Sequence, residues 1–311
     1  MLGPDTDPSP RTAVLRRAVT AGDPAGNSRS AKGTATGALL GWTRGRTNRN
    51  GMRTTLERIK AEVESREPNA SKARAEVGLP LMAETVSFAS NGATASGYLV
   101  RPSGGSGPGV LVIQEWWGLD SGIKEMAERL AAAGFVALAP DLYHGDLAGH
   151  DEMDKAGQLM QSMPPDRAGR DMSGAVDYLA GLDAVTGKGI GVVGFCMGGM
   201  LSFIIAATRP DKIKAAVPFY GFPQGPTEPD WSQLSAKIRG HMAENDEFFG
   251  PDAAAALEKK LRGLGKDVTL TVHPGTGHAF MAPHNALGTL NEEVAAKLWP
   301  QVLAFLHETL D

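Results

Sequence analysis

Between residues 109 and 273 the chain repeats one alternation, a short apolar run followed by a stretch with helical periodicity. The runs are Gly109–Gln114, Phe135–Ala139, Gly189–Phe195, Ala215–Tyr220, Ile238–Ala243 and Val268–His273. Most are continuously apolar, the pattern of strands covered on both faces. The stretches between them place apolar residues three and four apart: Ile123, Met126, Ala127, Leu130 and Ala131 first, then Ala168, Met172, Ala175, Val176 and Leu179. Further helices are expected over Met197–Ala207, Ala253–Leu264 and Leu290–Leu310. This alternation demands an α/β fold: a mostly parallel open sheet with right-handed crossovers and helices on both faces.

The folded pattern begins at Met82. Glu84–Phe88 and Thr94–Val100 alternate around Asn91-Gly92, which reads as a β-hairpin. Upstream lies a different kind of polypeptide. Residues 1–81 hold 14 Lys+Arg and 8 Asp+Glu, a net charge of +6, whereas residues 82–311 hold 17 and 27, a net −10. The first fifty residues are rich in Gly, Pro, Ser, Thr, Arg and Asn. They cannot bury enough apolar surface to offset the entropy of ordering. Residues 1–81 are therefore expected to be a disordered extension, or upstream sequence included by a misassigned start, with Met82 as the start. Residues 82–311 are expected to form one α/β domain.

Composition narrows the function. Cys196 is the only cysteine, which excludes an intramolecular disulfide and a multi-cysteine zinc site. No histidine shows metal-ligand spacing such as H-E-x-x-H, so no metal is expected. A net charge of −4 gives no reason to expect a nucleic-acid partner. No apolar run approaches the roughly 20 residues that span a bilayer.

Two motifs overlap in Gly189–Met200. Gly189, Gly191 and Gly194 spell G-x-G-x-x-G, but they lie inside the apolar run, whereas a dinucleotide site needs them after a strand and opening a helix. The second motif is Gly194-Phe195-Cys196-Met197-Gly198-Gly199, of the form G-x-nucleophile-x-G at a strand-to-helix turn. A nucleophile there sits in strained backbone, and glycines two residues away on either side remove side chains that would crowd it. The helix N-terminus favours a thiolate at Cys196. The plainer alternative is a buried structural cysteine.

A reactive thiolate needs a base and a group that orients the base. Downstream stand Asp246, at the end of an apolar run, and then His278, in the Gly-rich loop Gly275–Phe280. Glu244 and Glu247 compete with Asp246, and His273 and His284 compete with His278. Glu115 ends the first run, ahead of Trp116 and Trp117. It is expected at the same carboxyl edge of the sheet as Cys196, where open α/β sheets bind ligands. Its plainer alternative is an exposed strand-end carboxylate.

Gln114-Glu115, Pro140–Tyr143, Gly194–Gly199, Asp246 and Gly277–Phe280 together resemble the dienelactone hydrolase family of α/β-hydrolases, over about residues 82–311. The resemblance implies the α/β-hydrolase fold and a Cys196–His278–Asp246 triad. It implies that Glu115 takes up the thiol proton, and that the backbone N–H groups of Met197 and Trp116 form the oxyanion hole. The implied reaction cleaves a small lactone or carboxylic ester through an acyl-thioester, without a cofactor, in the cytoplasm. In the best-known members two arginines grip the substrate carboxylate; the matching positions here are Gly145 and Ala282. Trp116, Trp117, Tyr143, His144, Phe280 and Met281 are expected to give a more apolar pocket. A general carboxylesterase or thioesterase for neutral acyl groups is therefore the alternative, and a non-catalytic ligand-binding protein of this fold a third reading.

Overall fold

The computed structural model describes residues 81–311. The expectation for residues 1–81 lies outside them, Leu81 excepted, which packs partly buried against the core. The hairpin forms as its sequence demands. Strands β1 (Met82–Ser90) and β2 (Ala93–Arg101) pair antiparallel, and Asn91 and Gly92 turn the chain at φ of 39° and 92°. Six more strands follow: β3 (Gly107–Ile113), β4 (Val136–Pro140), β5 (Val185–Phe195), β6 (Ile213–Phe219), β7 (Lys237–Asn245) and β8 (Val268–Gly277). Their order across the sheet is β1-β2-β4-β3-β5-β6-β7-β8. β2 runs antiparallel to β4, and from β4 onward every pairing is parallel.

The helices are α1 (Ser121–Ala132), α2 (Met153–Ser162), α3 (Pro165–Ala180), α4 (Met197–Thr208), α5 (Pro251–Gly263) and α6 (Glu292–Leu310). α1 and α6 cover one face of the sheet and the other four cover the opposite face. The strands serve both layers because successive side chains alternate. Leu111 and Ile113 of β3 enter one core, Val110 and Val112 the other, and all four are fully buried. Each such side chain is worth roughly 1.5–3 kcal/mol of burial. α1 starts where Asp120 caps the Ile123 N–H at 2.9 Å, and it buries the five apolar residues its spacing singled out.

α2 has no counterpart in the apolar periodicity. Its buried positions are Ala156, Gly157 and Met160, and two of these are too small to give a signal. β7 and β8 run past their apolar runs, and Asn245 pairs with Gly277. The next residues, Asp246 and His278, therefore leave the sheet side by side. Among the described residues, no helix is long and apolar enough to cross a membrane.

Candidate active site

Cys196 stands between β5 and α4 with φ 55° and ψ −116°. A non-glycine residue there stores about 1–3 kcal/mol of strain. Its N–H donates to the Phe219 carbonyl at 3.1 Å, which pins the turn to β6. The flanking glycines are required by close approach. A Cβ on Gly194 would lie 2.1 Å from the Gly198 carbonyl oxygen, and one on Gly198 would lie 2.3 Å from that of Ile113. The crowding relieved is thus between the two glycines and against β3, where the sequence suggested crowding against the nucleophile. Cys196 is buried, at the positive end of α4.

His278 Nδ1 lies 2.8 Å from Asp246 Oδ2, and both side chains are buried. Asp246 Oδ1 accepts the Phe248 and Phe249 N–H groups, each at 2.9 Å. Burial opposes a charged imidazole, but a Cys196 thiolate and the Asp246 carboxylate outweigh it and push His278 up to about 10. Burial likewise works against the Asp246 charge, yet His278 and the two amides hold its carboxyl below the usual range. Nδ1 is committed to Asp246, which leaves Nε2 open to Cys196. The rival residues have other partners: Glu244 accepts the Gly275 N–H at 2.8 Å, Glu247 is exposed, and His273 faces His241 at 3.1 Å.

Glu115 is not an exposed strand end; it is 4% exposed. Its Oε2 lies 2.7 Å from Nε2 of His284. Its Oε1 and the Tyr220 hydroxyl are both buried, the hydroxyl faces the Glu115 carboxylate, and both residues line one small cavity. Tyr220 is fully buried, and burial together with the charges of Glu115, Cys196 and Asp246 keeps its hydroxyl protonated. The Tyr143 hydroxyl donates to the Trp116 carbonyl at 3.1 Å and lies 3.7 Å from the Met197 sulfur. It ties together the two segments whose N–H groups were expected to form the oxyanion hole. Tyr220 was not singled out by sequence, and His284 stood only as a rival of His278; its pairing with Glu115 spans 169 residues, which no local spacing encodes.

The residues expected to line a pocket are mostly packed away. Trp117 is buried beside Ala148, Ala156 and Ala286, and Phe280 sits edge-on to Tyr220. Met281 is buried in the layer beneath α1 and α6. Trp116 is partly buried against both the main core and the Trp117 cluster. His144 turns to α3, where its Nε2 lies 2.7 Å from Asp171, a buried carboxylate that also accepts the Ser90 hydroxyl. Gly145 turns the chain at φ 100° and Ala282 is buried, so neither position supplies a cation. Arg101 pairs with Glu84, and Arg209 with Asp177 and Asp211. Arg167 reaches the Leu142 carbonyl at 3.5 Å.

Asp120, His150 and His284 bring possible metal-ligand atoms within 4.8 Å of one another. The geometry does not suit an ion. Both His284 nitrogens are engaged, Nδ1 by the Ala286 N–H at 3.0 Å and Nε2 by Glu115. The two imidazoles are stacked with centroids 4.0 Å apart, so their in-plane lone pairs do not converge on one point.

The family model for the dienelactone hydrolase family matches residues 95–310. The chain belongs to the dienelactone hydrolase family. It is 40% identical over 240 residues to "Protein usf" of Aquifex pyrophilus, covering 74% of this chain and 100% of that protein. It is 38% identical over 206 residues to a protein of Aquifex aeolicus (strain VF5) named "Putative carboxymethylenebutenolidase", covering 64% of this chain and 87% of that protein. Among solved structures, the "Putative Dienelactone Hydrolase" of Klebsiella pneumoniae superposes with a TM-score of 0.63 at 27% identity, over 73% of this chain and 98% of that one. The sheet and its two helical layers are accordingly the α/β-hydrolase fold, and the protein is a hydrolase of the dienelactone hydrolase type.

Proposed function

We propose that this dienelactone hydrolase family member cleaves a small lactone or carboxylic ester by covalent catalysis at Cys196. One observation carries the reading: a cysteine at a strained φ of 55° adjoins a buried His278–Asp246 pair, and its thiolate raises the imidazole. In this reading Glu115 accepts the thiol proton and leaves a thiolate against His278. The Cys196 sulfur attacks the acyl carbon, and the carbonyl electron pair moves onto oxygen. The backbone N–H groups of Met197 and Trp116 receive that oxyanion. Collapse breaks the bond to the leaving oxygen, which takes the proton from His278 Nε2, and an acyl-thioester remains. Water then attacks the thioester and gives its proton to His278, the carbon–sulfur bond breaks to return the thiolate, and Glu115 gives the proton it took back to sulfur as the product acid leaves. Asp246 fixes the ring orientation and stabilises the imidazolium. The substrate is a small molecule met in the cytoplasm, with no cofactor and no nucleic-acid partner.

A second reading, a carboxylesterase or thioesterase for neutral acyl groups, is favoured by the lack of arginine at positions 145 and 282. Matched lactones, aryl esters and thioesters assayed before and after iodoacetamide test both readings against a non-catalytic ligand-binding protein. Turnover that falls in step with labelling of Cys196 is expected. Turnover that survives complete labelling, or its absence across the panel, rejects the thiol mechanism.

A further inference from the structure

Glu115 and His284 are 169 residues apart in sequence and meet at 2.7 Å, with side chains 5% and 7% exposed. The Ala286 N–H points at Nδ1 of the ring at 3.0 Å. That donor fills the Nδ1 lone pair, so the ring proton resides on Nε2, and Nε2–H can only donate to Glu115. The hydrogen bond is satisfied with Glu115 Oε2 as the acceptor. The ring is itself held: His150 stacks on one face, Trp117 stands edge-on, and Asp120 fixes His150 through a 2.7 Å contact to its Nε2. A buried carboxylate without a donor is driven toward its neutral form, in which it can accept no further proton.

We propose that His284 is a positioning residue for the activation of Cys196: with its tautomer set by Ala286, it donates to Glu115 and holds that carboxylate oriented to take the thiol proton. The proposal rests on the reading of Glu115 as that proton acceptor. It concerns only thiolate formation. The proton passes from Sγ of Cys196 to Glu115, His284 keeps its own proton throughout, and no bond to substrate is involved. The titratable groups that face the ring are Glu115 at the end of β3, Asp120 at the start of α1 and His150 ahead of α2, and Glu115 is faced in turn by Tyr220, which follows β6. Burial opposes a second proton on the ring, but Glu115 and then Asp120 outweigh it and hold the imidazole above its ordinary value; in either protonation state Nε2–H donates to Glu115, and the Ala286 contact is kept by the singly protonated ring.

The test is a double-mutant cycle read by single-turnover acylation with an aryl ester, across pH 5 to 10 at about one-unit steps. His284→Ala is expected to slow acylation at neutral pH by about tenfold or more, to recover as pH rises, and to leave KM unchanged. His284→Gln, whose Nε2–H can donate to Glu115, is expected to restore most of the rate. In a Glu115→Gln background the His284→Ala change is expected to have no further effect. A His284→Ala loss that is the same at every pH, or that adds fully to Glu115→Gln, overturns the proposal and leaves the reading of Glu115 standing. Wild-type acylation in Glu115→Gln alone overturns that reading, and the role of His284 with it. Thermal melts of each variant separate these outcomes from misfolding, and if His284→Ala unfolds the cycle is closed with His284→Leu, which fills the site but cannot donate to Glu115.

Discussion

Asn245 of β7 and Gly277 of β8 are paired in register, and each is followed by one member of the buried pair Asp246 and His278. Two residues 32 apart in sequence therefore meet at 2.8 Å because of a strand register, not a local motif. The bulge between Ala243 and Asn245 is part of that register. A strand slip of one residue would turn Asp246 to the other face of the sheet.

Asp246→Asn keeps an oxygen for the Phe248 and Phe249 amides but removes the charge beside His278. Stability is expected to change by about 1 kcal/mol, the scale of one hydrogen bond. Ester kcat is expected to fall by about 10²–10⁴, the usual worth of a base held in its working tautomer. Paired urea melts and steady-state kinetics check the contrast, and an equal loss of stability and activity would assign Asp246 to the turn alone.

The His278 ring gives a pH signature in stability. Its value in the folded protein, about 10, lies above the reference of 6.5, so its contribution is complete below pH 6.5 and is lost as pH rises through about 10. Asp246 lies below its reference of 3.8, so its contribution is present above that pH and is lost as the medium becomes more acidic. Buried His241, held down to about 3, lowers stability below pH 6.5 and adds no slope above it. Tm should therefore decline as pH rises from about 6.5 toward 10, with His284, also held above 6.5, adding to the His278 contribution. Cys196→Ala removes one of the two charges that raise His278, so the decline should come at lower pH. A flat Tm over this window would mean that the ring is neutral in the folded protein.

Cys196→Ala should abolish ester and lactone turnover while the protein still folds, since the substitution removes one buried sulfur. Iodoacetamide should label the wild type at Cys196 near neutral pH, faster when a substrate analogue opens the site. Full activity in the variant would end the covalent reading.

Gly198→Ala places a methyl group 2.3 Å from the Ile113 carbonyl and 2.6 Å from that of Gln114. Backbone cannot yield as a side chain can, and overpacking of this kind costs about 1–3 kcal/mol or more. A markedly lower Tm is expected, with activity lost at temperatures where the chain is still folded. A wild-type melt with wild-type kinetics would show that the turn can relax away from β3.

Substrate charge follows from the arginines. A charge-assisted hydrogen bond is worth about 1.5–3 kcal/mol, or about 10–150-fold in binding. Positions 145 and 282 supply none, and Arg101 and Arg209 are paired with carboxylates. Neutral lactones or aryl esters should thus be hydrolysed at least as well, in kcat/KM, as matched carboxylated ones. A strong preference for the carboxylated member that persists in added salt would point to another cation, with Arg167→Ala the first variant to make.

The sequence by itself determined whatever is local. Apolar runs alternating with helical periodicity dictated a mostly parallel sheet covered on both faces, and Asn91-Gly92 dictated the first hairpin, because strand burial and turn conformation are properties of neighbouring residues. The turn at Cys196 was legible for the same reason, since Gly194 and Gly198 lie within two residues of it. The tertiary structure alone paired His278 with Asp246, where Glu244 reaches the Gly275 N–H and His273 faces His241, because those contacts depend on the register of β7 against β8. It also turned His144 toward Asp171, buried Phe280 and Trp117 as packing, and paired Glu115 with His284. Each of these joins segments remote in the chain, and no spacing along one polypeptide encodes which of several chemically equivalent side chains will face another once the sheet has closed on its two cores.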